Sequence, residues 1–241
     1  MKVLYKYCLI VASVFLLFSC EKETEGISRI TYYCELDLKG DPTEFISLGS
    51  TYNEAGWVAS ENGENVTDKV TVNGTVNANT AGIYRLVYSV YNSDGFAKTA
   101  VRQVIVYDTT PSVIESGFYE VSPSSNRTSF GSGPGTSGSS EFKSGTTIII
   151  YQISAGKFYI SDFIGGYYDV GRGYGSTYAM TGLFQLNSDN TIELIDSRIA
   201  GWGDGLDAVV DGVYDPTTKT LTYTAQYAES YDFNIIATKI N

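Results

Sequence analysis

Beyond residue 26 no stretch of this 241-residue chain keeps apolar residues at i, i+3, i+4 and i+7, so no helix would have an apolar stripe to bury. Short runs of Tyr, Val, Ile and Thr recur instead, separated by Gly, Asn, Asp and Ser, which is the pattern of strands and turns. In Ile83-Tyr84-Arg85-Leu86-Val87-Tyr88-Ser89-Val90-Tyr91, the residues Tyr84, Leu86, Tyr88 and Val90 share one face at period two. Asn92-Ser93-Asp94-Gly95 then predicts a hairpin turn in which Asp-Gly supplies the positive φ angles, and Ala97 to Tyr107 is the returning strand. The chain is expected to be all-β, with helix nearly absent. Pro111 cannot continue a ladder and restricts the residue before it, so Asp108-Thr109-Thr110-Pro111 divides the chain into domains at 27–109 and 110–241.

In the first domain Thr80-Ala81-Gly82-Ile83-Tyr84 resembles the tyrosine corner of immunoglobulin-like sandwiches, with Leu86 standing where antibody domains carry a cysteine. Further motifs follow in order: Tyr52-Asn53-Glu54-Ala55-Gly56-Trp57, Asn65-Val66-Thr67-Asp68-Lys69-Val70, Gly74-Thr75-Val76-Asn77 and Arg102-Gln103-Val104-Ile105-Val106-Tyr107-Asp108. The series resembles the immunoglobulin-like modules of bacterial surface proteins. That resemblance implies a sandwich acting as a spacer, with Trp57 in its core.

The second domain predicts strands near Gly117 to Val121, Thr146 to Ile153, Lys157 to Ile164, Ala179 to Leu186, Thr191 to Ser197, Ala208 to Tyr214, Thr220 to Gln226 and Tyr231 to Lys239. Eight short strands with tight turns suit either an antiparallel β-sandwich or a small β-barrel. The Gly/Ser-rich segment 124–141 has no apolar face and is expected to be a flexible loop.

Two connections in this domain concentrate glycines, aromatics and charges: Asp162 to Tyr178 and Gly201 to Asp207. Flat aromatic faces stack on sugar rings, and carboxylates or guanidinium groups bond the hydroxyls. Tyr167, Tyr168, Tyr174, Tyr178 and Trp202 are the candidate platform, with Asp169, Arg172, Asp204 and Asp207 as polar partners. The alternative is that these aromatics plug the core while the glycines make tight turns.

The leader has basic Lys2 and Lys6, an apolar run from Cys8 to Phe18, and Ser19 before Cys20, the parts of a secretory signal. Leu17-Phe18-Ser19-Cys20 resembles a bacterial lipobox, which implies removal of residues 1–19 and acylation of Cys20. More than one acyl chain anchors stably. Residues 20–26, with Glu21-Lys22-Glu23-Thr24-Glu25, resemble the acidic tether that sends Bacteroidota lipoproteins to the outer face of the outer membrane, and are expected to be disordered. In enteric bacteria an acidic residue at the position of Glu21 favours inner-membrane retention instead. Asp108-Thr109-Thr110 resembles a Bacteroidota O-glycosylation acceptor, with Thr109 as the modified residue.

With 27 acidic against 16 basic residues the formal charge is −11, and the scattered Lys and Arg exclude nucleic acid and disfavour polyanionic glycans. Cys34 is left as a single thiol, so no intramolecular disulfide is expected. The chain has no histidine, which removes Ser-His and Cys-His catalysis and the usual zinc ligands. Carboxylates at Asp162, Asp169, Asp204 and Asp207 could serve a glycosidase, but isolated acids in Gly-rich turns ordinarily form the turns. No enzyme activity, metal or cofactor is expected. The whole layout resembles the surface glycan-binding lipoproteins of starch-utilisation-type uptake systems. It implies capture of a neutral polysaccharide or oligosaccharide beside a glycan transporter, the alternative being an adhesin-like protein that binds another protein through the same loops.

Overall fold

The computed structural model describes residues 30–130, 137–141 and 146–240. The first domain contains β1 (Cys34–Leu38), β2 (Thr43–Ser47), β3 (Trp57–Glu61), β4 (Glu64–Asn65), β5 (Thr71–Asn73), β6 (Gly82–Tyr91) and β7 (Ala97–Tyr107). They form two sheets, β1-β3-β4 and β2-β7-β6-β5, with β2 parallel to β7. The alternation read from β6 is realised: Leu86, Tyr88 and Val90 are buried and pack with Leu36, Ala59 and Val104. Cys34 belongs to the same core, and burial raises its thiol pKa. In the β6–β7 turn only Gly95 takes a positive φ, +88°, and Asp94 does not. The Asn92 side chain completes the turn by accepting the N–H groups of Asp94 and Phe96.

The tyrosine corner is present: Tyr84 Oη donates to the Thr80 carbonyl at 2.8 Å. The second domain repeats the device, with Tyr119 Oη on the Glu115 carbonyl at 2.8 Å. Each lies two residues after a glycine at the start of its strand. Tyr84→Phe is expected to cost about 0.5–1.5 kcal/mol, read as a lower denaturant midpoint; an unchanged midpoint would show that the corner contributes nothing.

The first domain also holds a buried cation. Arg102 has no exposed surface and pairs with both Glu44 and Glu54. Its Nη1 also donates to the Asp41 carbonyl at 2.8 Å, and Nη2 to the Lys39 carbonyl at 2.6 Å. Tyr52 and Tyr88 donate to Glu54. Burial alone would raise the Glu54 pKa, but these hydrogen bonds and the Arg102 charge outweigh it and hold the carboxyl below its usual range.

The second domain contains β8 (Gly117–Val121), β9 (Asn126–Phe130), β10 (Ser137–Glu141), β11 (Thr146–Ser154), β12 (Lys157–Ile160), β13 (Met180–Leu186), β14 (Ile192–Ile199), β15 (Ala208–Asp215), β16 (Thr220–Tyr227) and β17 (Tyr231–Lys239). Neighbours pair antiparallel in the order β8-β11-β12-β13-β14, then β15-β16-β17, and β17 returns to β8. The gap between β14 and β15 is bridged at Thr191 and Val213, and the Tyr214 N–H reaches the Asn190 carbonyl at 2.9 Å. This is an eight-stranded, nearly closed up-and-down barrel rather than a sandwich. Its interior is packed with Tyr119, Ile148, Ile150, Phe158, Phe184, Tyr223, Phe233 and Ile235.

The expectation of a flexible loop over 124–141 is corrected. β9 pairs with the first half of β17 and with β10, and together β9 and β10 carry the β8–β11 connection outward as a hairpin. A Gly/Ser-rich strand needs no apolar face when its backbone groups find a ladder. Residues 131–136, the centre of the expected loop, lie outside the described residues.

The two domains meet directly. The Phe45 and Phe118 rings stand edge to face at 5.3 Å. Gln152 donates to Asp108 Oδ1 at 3.2 Å and to the Thr110 carbonyl at 3.0 Å, while the Asp108 N–H bonds the Gln152 carbonyl at 2.8 Å. Thr109 is exposed at this junction. Helical structure among the described residues is limited to single turns at Thr67–Lys69, Tyr167–Gly171 and Ser176–Tyr178.

Candidate functional site

Antiparallel order in a closed meander puts alternate connections at the same end of the barrel. The β8–β11, β12–β13, β14–β15 and β16–β17 connections therefore share one mouth, and the first domain attaches at the opposite end, where β8 begins. Both loops singled out in the sequence lie at that mouth.

The β12–β13 connection is organised by Asp162. The strand expected to reach Ile164 ends at Ile160, because the Asp162 carboxylate captures the N–H groups of Ile164, Gly166 and Met180 at 2.9, 2.9 and 3.0 Å. Tyr223 donates to the Phe163 carbonyl at 2.9 Å and ties the loop to the barrel wall. Past this knot the chain makes one π-helical turn, with Gly171 and Arg172 bonding back to Gly166 and Tyr167. Asp162 is buried, and desolvation pushes its pKa up to about 7 against the three N–H bonds, with Asp169 adding repulsion. A carboxyl whose folded pKa is raised binds its proton more tightly folded than unfolded, so its contribution to stability is full in acid and is lost as pH rises toward 7. Across pH 5 to 8 the melting temperature should therefore fall more steeply in the native chain than in Asp162→Asn, measured side by side; equal slopes would show that Asp162 does not titrate in this range.

The aromatic candidates converge, but at two depths. Tyr167 and Tyr168 are buried and pack edge to face on Phe233 at 5.3 and 5.9 Å. Above them Trp202 is 44% exposed and Tyr174 53% exposed. Trp202 stands edge to face with Tyr168 at 4.8 Å and Tyr178 at 5.1 Å, and lies nearly parallel to Tyr227 at 6.2 Å. Tyr174 lies parallel to Tyr168 at 6.0 Å. Tyr167 and Tyr168 are thus the floor of the site, in line with the core alternative, while Tyr174, Tyr178 and Trp202 form its surface. Gly201 permits this: a Cβ there would lie 2.5 Å from the Tyr178 ring.

Three of the four polar candidates, Arg172, Asp204 and Asp207, are already engaged. Arg172 Nη2 donates to Tyr167 Oη at 2.7 Å and its guanidinium lies over the same ring. Both Asp204 oxygens accept from Tyr227 Oη, at 3.1 and 3.0 Å. Asp207 accepts the Glu229 N–H at 2.7 Å and braces a turn in which Ala228 and Glu229 both have positive φ, a conformation costly for residues with a Cβ. Asp169 is half-buried beside Asp162.

Tyr227, Tyr231 and Arg127 complete the cluster, Arg127 lying over the Tyr167 and Tyr231 rings at 5.2 and 4.9 Å. A groove of about 330 Å³ opens beside them, lined by Phe130, Asp207, Gln226, Tyr227 and Tyr231 among others. These residues stand in strands of ordinary alternation, and only the shared mouth reveals them. No group of three or more metal-ligating acids or cysteines occurs among the described residues.

Comparison with known proteins matches this architecture. Residues 36–106 match the family model of a bacterial surface protein, Ig-like domain, and residues 107–239, more than half the chain, match a model described as a C-terminal domain. The crystal structure of the lipoprotein BT2262 from Bacteroides thetaiotaomicron is 44% identical, over 86% of this chain and all of that one, with a TM-score of 0.77. The chain belongs to the BT2262 lipoprotein family. Its first domain is the immunoglobulin-like module that the motif series resembles. No curated protein matches the chain. Two structures containing CBM51 domains of Clostridium perfringens ZmpB align at 14% identity over 86% and 88% of this chain and 44% and 22% of theirs. Their TM-scores of 0.27 and 0.29 are too low to bear on function.

Proposed function

We propose that this is a non-catalytic surface lipoprotein, anchored through acylated Cys20 in the outer membrane, whose barrel mouth binds a neutral polysaccharide or oligosaccharide. The observation that carries the reading is Trp202: a large ring 44% exposed at the mouth and supported by rings of Tyr168, Tyr178 and Tyr227. Exposing an indole costs hydrophobic free energy that a stacked sugar ring would recover. Asp204 and Asp207 line the same mouth as acceptors for sugar hydroxyls, and with Glu229 and Asp232 nearby they repel sulfated or uronic chains. Membership in a lipoprotein family supports the anchor, and no described helix is long and apolar enough to cross a membrane. Cys20 and residues 20–26 lie outside the described residues, as does the rest of the leader.

The immunoglobulin-like module would act as a spacer, and a glycan transporter is the neighbour expected to receive the captured ligand. Thr109, exposed beside a short junction, is sterically open to glycosylation. The test is affinity electrophoresis of the chain beginning after Cys20 through gels containing neutral or acidic polysaccharides, backed by an oligosaccharide array. Retardation by a neutral glycan supports the reading, and silence on every glycan overturns it. In that case β10, an edge strand of the barrel sheet, would favour a protein ligand added along it.

A further inference from the structure

The end of the molecule opposite the barrel mouth carries its own exposed rings. Tyr33 is 66% exposed, Phe96 52% and Tyr91 59%, with Ile30 at 71% and Tyr32 at 44% beside them. They do not belong to scattered loops. The Tyr33 and Phe96 rings touch at 5.6 Å, and Asn92 fastens the incoming chain to the β6–β7 hairpin by donating to the Tyr32 carbonyl at 2.7 Å. The same side chain accepts the N–H groups of Asp94 and Phe96 at 3.2 and 2.7 Å. Asn92 is itself buried, so the rings are presented by a fixed piece of backbone rather than a loose tail.

β7 separates this hairpin from the barrel by eleven residues, about 35 Å of strand. The patch therefore faces away from the candidate glycan site. It also lies where the described chain begins, ten residues after Cys20, a distance that extended chain spans in about 35 Å at most.

We infer that Tyr33, Tyr91 and Phe96 rest in the headgroup region of the membrane to which Cys20 is tethered, seating the module upright and directing the barrel mouth outward. This rests on the reading of Cys20 as the anchor. Tyrosine suits the membrane interface because a ring with one polar end is satisfied between hydrocarbon and water, and phenylalanine adds apolar surface that is buried at the boundary of headgroups and acyl chains. Shallow burial of about 5–10 Å is enough for such contacts, and an anchor ten residues away keeps the effective concentration of lipid high, so individually weak contacts suffice. Glu61 and Asp94 border the patch, which favours a zwitterionic over an anionic headgroup.

The test bypasses lipid processing. The chain beginning at Cys20 is coupled through that thiol to a maleimide lipid in phosphatidylcholine vesicles, Cys34 being buried and so protected. Phe96→Trp serves as the reporter against the native Trp57 and Trp202. A blue shift of the added emission, its quenching by lipids brominated near the headgroup, and loss of both when Tyr33→Ser is added are the expected results. Emission unchanged between coupled and free chain would overturn the inference. So would a blue shift already present in the free chain, which would mean that residues 21–29 or a second copy covers the rings. Failure of the anchor reading is separable: it would appear as Cys20→Ala remaining in the membrane fraction of cells, with the vesicle result untouched.

Discussion

Replacing Trp202 with alanine is expected to weaken glycan binding about 30-fold or more, the loss typical of a central aromatic contact of about 2 kcal/mol. The indole is a large flat ring 44% exposed at the mouth, and its removal takes away its edge-to-face contact with Tyr174. Trp202 also contacts Tyr168, Tyr178 and Tyr227, so stability should fall by about 1–2 kcal/mol without loss of the fold. Trp202→Phe keeps a ring in the cradle and should recover part of the affinity. Affinity electrophoresis and thermal melting of the three proteins check this together. A collapse of melting temperature with Trp202→Ala, or unchanged retardation, would place the indole in a structural role and remove the main support for the glycan reading.

Arg102→Ala should produce the largest loss of stability, about 3–5 kcal/mol, the usual consequence of leaving buried partners of opposite charge unpaired. Glu44 and Glu54 would lose their cation, and the Lys39, Asp41 and Gly56 carbonyls would lose a donor. A single small domain is commonly stable by only 5–15 kcal/mol, so the immunoglobulin-like module should melt well before the barrel. Calorimetry should then separate two transitions, the first displaced downward. Arg102→Lys keeps the charge but not the planar fork that reaches several acceptors, and should fall between. If Arg102→Ala leaves the melting profile unchanged, the network contributes nothing net to the fold.

Arg102 also illustrates the limit of what was legible. It shares its face of β7 with Val104 and Val106, both fully buried, but Ile105 on the other face is buried as well, so alternation alone did not assign the guanidinium to the core. Only the fold could supply the carboxylates and carbonyls that receive it, which come from two other stretches of chain, 39–44 and 54–56. The strands themselves were readable because alternation is local: a run such as Thr220 to Gln226 shows its inward face without reference to its partners. Segment 124–141 was misread for the complementary reason. Its side chains carry no apolar signal, while its hydrogen bonds to β17 come from the backbone, which composition does not encode.

The candidate site divides along the same line. The two aromatic, glycine-rich connections stood out in the sequence. Which rings would be floor and which surface did not, because Tyr167, Tyr168, Tyr174 and Tyr178 lie in a loop without a period to set their depth.

By itself the sequence determined the all-β class, the immunoglobulin-like module and the placement of most strands, all consequences of local pattern and turn chemistry. The tertiary structure alone decided that the second domain closes as a barrel, through pairings between β8 and β17 and across Thr191 and Val213. That closure brings four connections distant in sequence to one mouth and adds Tyr227, Tyr231 and Arg127 to the site, because ring closure is a relation between the ends of a chain that no local window contains.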